Sequence, residues 1–72
     1  MPDLKKGDRE EVKSLMVFNI EDDGILQFEA GGHSCTLVNA EGANAGNVDA
    51  GQGKQVHKGW KCHVQSGYVK LE

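Results

Sequence analysis

Apolar and polar positions alternate in short bursts along this chain, and most bursts end at a glycine. Met16, Phe18 and Ile20 follow the period-two spacing of a half-buried strand, and the β-branched and aromatic content beyond residue 14 favours strand over residues 14–21. In "ILQFEA", Leu26, Phe28 and Ala30 share one face and Ile25, Gln27 and Glu29 the other. Asp23-Gly24 between these runs is a tight-turn signal, so the two strands are expected to pair as a hairpin. Gly31-Gly32 ends the second run. "HSCTLVN" then makes a third strand, with His33, Cys35 and Leu37 opposed to Ser34, Thr36 and Val38.

The pattern lapses in "AEGANAGNVDAGQG", residues 40–53, where Val48 is the one branched apolar residue. This Gly/Ala/Asn-rich stretch is expected to be a long surface loop, or an edge segment pinned by Val48. The chain recovers with "KQVH", turns at Lys58-Gly59, continues as "WKCHVQ", turns at Ser66-Gly67 and ends with "YVKL", a meander of two or three strands. Ahead of all this, residues 1–13 are dominated by charge and are expected to be partly mobile. Asp8 and Glu11 have capping-box spacing, which permits a short helix from Arg9. The fold class is therefore all-β: a single small domain over residues 14–72, with five to six short antiparallel strands in a barrel or a two-layered sandwich.

Composition changes the picture in one respect. With 72 residues, ten glycines and four aromatic side chains, the core is thin. Domains this small usually need a disulfide, a metal or further copies of themselves. Self-association through exposed sheet edges is the expectation that follows. The charge is uneven: residues 1–53 hold four basic and ten acidic side chains, whereas residues 54–72 hold four lysines against Glu72. Lys54, Lys58, Lys61, His63 and Lys70 are the candidate contacts for a polyanion, and a small nucleic-acid-binding barrel using this basic third is the alternative reading. The net charge of −3 opposes it.

Candidate chemistry centres on "GGHSC" and "HKGWKCHV". Strand alternation puts Trp60, Cys62 and Val64 on one face and Lys61, His63 and Gln65 on the other, so Cys62 is expected to be core and His63 outward. His33, Cys35 and Cys62 are the candidate metal ligands of a metal-stapled fold, but the chain has neither C-x-x-C nor H-x-x-x-H spacing. A Cys35–Cys62 disulfide is the other staple, against two reduced core cysteines in a reducing compartment. His33-x-Cys35 and "GQGKQVHKG" bear a loose resemblance to the two histidine motifs of cupins. The second histidine of the first motif is Cys35 here and the later one is a position out, and the chain is shorter than that fold is expected to require, so no function follows from it.

Buried cysteines make poor nucleophiles and the chain is short for a substrate cleft, so an enzyme is not expected. Glu21, Asp22 and Asp23 suit turn chemistry better than calcium. No cofactor is implied. No apolar stretch reaches the length of a membrane span, and "MPDLKKGDREE" does not read as a signal peptide, which makes the cytoplasm the expected location and the membrane no expected partner. The final Leu71-Glu72 resembles an expression remnant and carries little weight. The favoured function is a non-catalytic binding or assembly module whose partner is a second copy or another protein.

Overall fold

The computed structural model describes residues 1–29 and 33–72; Ala30, the end of the predicted apolar face, lies outside them. Among the described residues there are nine strands: β1 (Asp3–Leu4), β2 (Arg9–Val12), β3 (Met16–Ile20), β4 (Gly24–Glu29), β5 (Ser34–Val38), β6 (Asn44–Asp49), β7 (Gln52–Val56), β8 (Lys61–Val64) and β9 (Gly67–Leu71). They form two sheets, sheet A in the order β1-β3-β8-β5-β6 and sheet B in the order β2-β9-β4-β7. The all-β, two-layered sandwich is thus the observed alternative.

The expected hairpin between β3 and β4 does not form. β3 pairs with β8 and β4 pairs with β7 and β9, so the chain changes sheets at residues 21–23. The cause lies in the two aspartates read as turn formers. Asp22 Oδ2 accepts the Lys6 N–H at 2.9 Å and Asp23 Oδ1 accepts the Lys58 N–H at 2.8 Å, fastening the corner to two other loops. The expected C-terminal meander is likewise absent, because β7, β8 and β9 alternate between sheets. From β2 to β9 the pairs are first with last, second with seventh, third with sixth and fourth with fifth. These nested pairs are the strand order of a jelly roll. Strands of four to six residues let 72 residues complete it, so length is no bar to this arrangement.

The N-terminal helix is absent. Asp8 caps a turn instead: its Oδ2 accepts the Lys5 N–H at 2.8 Å, its own N–H donates to the Lys5 carbonyl, and Gly7 supplies the left-handed conformation at φ 95°. The chain then runs on as β2 beside β9. Residues 40–53 are not a single loop. Val48 is buried and pins β6 to β5, as the edge-segment alternative requires, and β7 follows after a two-residue turn. Among the described residues the one hairpin joins β5 to β6, where Asn39 Oδ1 accepts the N–H groups of both Glu41 and Ala43.

One core fills the space between the sheets. Phe18, Ile20, Cys35, Leu37, Val48, Cys62 and Val64 come from sheet A with Leu4; Val12, Leu26, Phe28, Val56, Val69 and Leu71 come from sheet B. No polar side chain is buried among the described residues. Leu71, discounted from sequence, is core, and Glu72 continues the ladder through its N–H and carbonyl to Ile25. The surface is 3988 Å², below the roughly 4,400 Å² typical of a folded chain of 7.8 kDa. The core is small but closed.

Candidate functional site

Each candidate side chain is placed by its strand. Cys35 and Cys62 sit on the inner faces of the paired strands β5 and β8, in the diagonal relation set by Cys35 opposite Val64 and Leu37 opposite Cys62. Both are free thiols and fully buried. The hydrogen bond with Cys35, and then burial, pushes the Cys62 thiol well above its ordinary value, which holds it protonated and unreactive. His33 is exposed at the start of β5, so it does not turn inward with the thiols. Among the described residues no three His, Cys, Asp or Glu side chains are grouped to hold a metal. His57 lies at the opposite end of the sandwich from His33, edge-on to Trp60 with ring centroids 5.3 Å apart and with its Nδ1 3.7 Å from Asp23. Trp60, expected in the core, is only partly buried against it, because it precedes β8 and its backbone is tied into the β7–β8 turn.

The polyanion candidates do not share a surface. Lys61 and His63 stand on the outer face of sheet A, Lys70 on the outer face of sheet B, Lys58 in the β7–β8 turn and Lys54 on edge strand β7. Lys70 is engaged by Glu72 at 3.2 Å and Glu29 at 3.5 Å.

The two outer faces differ in kind. On sheet B the side chains satisfy one another. Arg9 pairs with Glu29 at 3.0 Å and lies 4.3 Å over the Tyr68 ring, Tyr68 donates to Glu11 at 2.7 Å, and Gln27 donates to Glu72 at 3.0 Å. The Arg9 hydrogen bond lowers the Glu29 carboxyl, the Glu72 hydrogen bond raises Lys70, and the Glu11 hydrogen bond raises Tyr68. A depressed carboxyl stabilises the fold above its ordinary value of 4.5, and that contribution disappears as pH falls through the lower folded value. Arg9→Gln is therefore expected to lose less melting temperature than the parent between neutral pH and pH 3. The gap should narrow in high salt, since the Arg9 and Glu29 side chains are both about half exposed. Equal acid sensitivity in the two proteins would show that the pair contributes nothing.

Sheet A presents the contrary face. Leu15, 58% exposed, immediately precedes β3 and Val17 lies on it; His63 stands beside Val17, Thr36 beside His63, and Val38 beside Lys61. Among the described residues no ion pair crosses this face; its side-chain hydrogen bonds are Asn19 donating to Asp3 at 3.2 Å and, at the β6 edge, Asn44 Oδ1 accepting the Gly46 N–H at 2.7 Å. Sequence reasoning passed over it, although Leu15, Val17 and Val38 are apolar residues in the outward phase of their strands. Those out-of-phase positions were the available signal. No cavity opens among the described residues, so sheet faces, edges and loop ends are what the molecule offers a partner. Compared with family models, curated proteins and solved structures, the chain matches none.

Proposed function

We propose that the chain is a non-catalytic binding and assembly module that associates with further copies of itself through the outer face of sheet A. The observation that carries this reading is the contrast between a sheet B face laced by its own ion pairs around the exposed Ile25 and a sheet A face with the half-buried Val17 and Val38, bordered by the exposed Leu15, and no such pairs among the described residues. Flat, weakly charged sheet faces stack readily because little desolvation opposes them.

The face is favoured over the sheet edges for a physical reason. β1 is two residues long, and β2 carries Arg9, Glu10 and Glu11. β6 is interrupted by a bulge and by Asn44 Oδ1 accepting the Gly46 N–H at 2.7 Å. Short, charged or bulged edges resist pairing. The closed core also removes the need for a permanent partner. The five strands of sheet A, two to six residues long, make a face of roughly 350 Å², less than half the ~800 Å² that a stable complex buries on each partner. Association is accordingly weak. A reducing compartment such as the cytoplasm suits the two free thiols, and no helix is long and apolar enough to cross a membrane.

Light scattering over roughly 10 μM to 1 mM tests the reading, because a weak complex of this kind populates only at the upper end. The parent is expected to be monomeric when dilute and to rise reversibly toward the dimer mass when concentrated. Val17→Lys, which sets a charge at the centre of the face, is expected to stay monomeric throughout. A parent mass that never changes with concentration would overturn the proposal.

A further inference from the structure

We infer that Lys54 is a guard on edge strand β7 that prevents this strand from pairing with β7 of a second copy. β7 pairs on one side with β4 and, among the described residues, has no strand on the other. It has neither the charge of β2 nor the bulge beside β6: its residues are Gln52, Gly53, Lys54, Gln55 and Val56. By length and composition it is the most receptive of the four edges. Lys54 lies opposite Leu26 and has the same strand parity as the buried Val56, so its side chain leaves on the inner side of the sheet. A lysine in that phase of a core-facing strand has no packing rationale of its own.

Its destination supplies one. The aliphatic stem crosses the open side of the sandwich between β7 and β6, and Nζ stands over Gly46, in the space that a Cβ there would take. Gly46 has φ 107°, a left-handed conformation that suits glycine and leaves this space free. No acidic side chain pairs with Lys54 among the described residues. An inward charge at a sheet edge keeps the mouth of the sandwich hydrated. If β7 paired antiparallel with its copy about Lys54, two unpaired ammonium groups would meet side by side on the same face, where like charges oppose pairing. The guard makes face-to-face association finite, because it closes the route by which such dimers would grow edge to edge.

The test uses the full chain carrying Val17→Lys, so that the sheet A face does not contribute. Adding Lys54→Val is expected to tighten association at least about tenfold by light scattering, with the β7 amides gaining protection from hydrogen exchange in the associated form. Lys54→Gln, which keeps polarity and removes charge, is expected to shift in the same direction by less, and Lys54→Arg to behave as its parent. Unchanged mass in both Lys54→Val and Lys54→Gln would overturn the inference. So would association without new protection in β7, which also covers the case of a misfolded variant, or association of Lys54→Arg equal to that of Lys54→Val.

Discussion

Phe18→Ala is expected to lower the melting temperature by about 20 °C or more, the largest loss foreseen for a single truncation. Phe18 is 1% exposed on the inner face of β3, with Cys62 directly opposite on β8. Truncating a buried phenylalanine removes its transfer free energy and leaves a cavity, together about 3–5 kcal/mol. A chain of 72 residues has only about 4–11 kcal/mol to lose. In a domain of this size each kcal/mol moves the midpoint by roughly 4–8 °C. Among the described residues no second core takes up the load, because the fourteen buried hydrophobic residues form one cluster. Phe18→Leu, which keeps most of the volume, is expected to lose less than half as much. Circular dichroism melts of the two variants check this, and a loss of under about 5 °C for the alanine variant would remove Phe18 from the centre of the core.

Gly24→Ala is expected to cost about 2–3 kcal/mol through overpacking, more than an added methyl costs at an open site. Gly24 is buried at the start of β4, and its backbone is not left-handed. A Cβ there would stand 2.5 Å from the Glu72 carbonyl oxygen, 3.1 Å from Leu71 Cδ1 and 3.3 Å from the Glu72 carbonyl carbon. Two of those three atoms are backbone. The chain end they belong to is fixed, since Glu72 exchanges both hydrogen bonds with Ile25, at 2.6 and 2.8 Å. The added methyl must push β9 and β4 apart. Thermal melts give the size of the loss, and hydrogen exchange gives its place: faster exchange at Ile25 and Glu72 is expected first. At a glycine with ordinary backbone angles and open space, the same substitution would instead stabilise by about 0.4–1 kcal/mol. A stabilised Gly24→Ala would therefore contradict the close approach.

Gly24 also shows where the sequence stops informing. Read locally, Asp23-Gly24 is a hairpin signal, and nothing near it says that Asp22 and Asp23 are taken up by Lys6 and Lys58 or that the glycine makes room for the C-terminus. Alternation within a strand depends on neighbours two residues apart, so the faces of β3, β4, β5 and β8 were legible: Phe18 groups with Ile20 and Leu26 with Phe28, while Cys35, Leu37, Cys62 and Val64 were expected inward, as was the only partly buried Trp60. Pairing in a nested order depends on residues far apart in the chain, as with Arg9 and Lys70, and leaves no local mark. β2 was missed because Val12 is its single buried residue among charges, too little to set a period against a capping-box signal. β6 was legible only as one of two alternatives and β7 only from Lys54 onward, each having one buried apolar side chain. Of the candidate sites, the thiols were placed correctly as core residues by alternation. The dispersal of the lysines was not visible, because it follows from which sheet each strand joins.

The central claim is that copies meet through the sheet A face and not through an edge. The most direct measurement is a residue-by-residue record of backbone amide shifts as the protein is concentrated. Changes are expected to be confined to Leu15 and the adjoining β3, to β8 with the following Gln65, and to β5, with none of them in Val17→Lys. Changes centred on Arg9–Val12 or Gln52–Val56 in the parent protein, with the sheet A face silent, would contradict it.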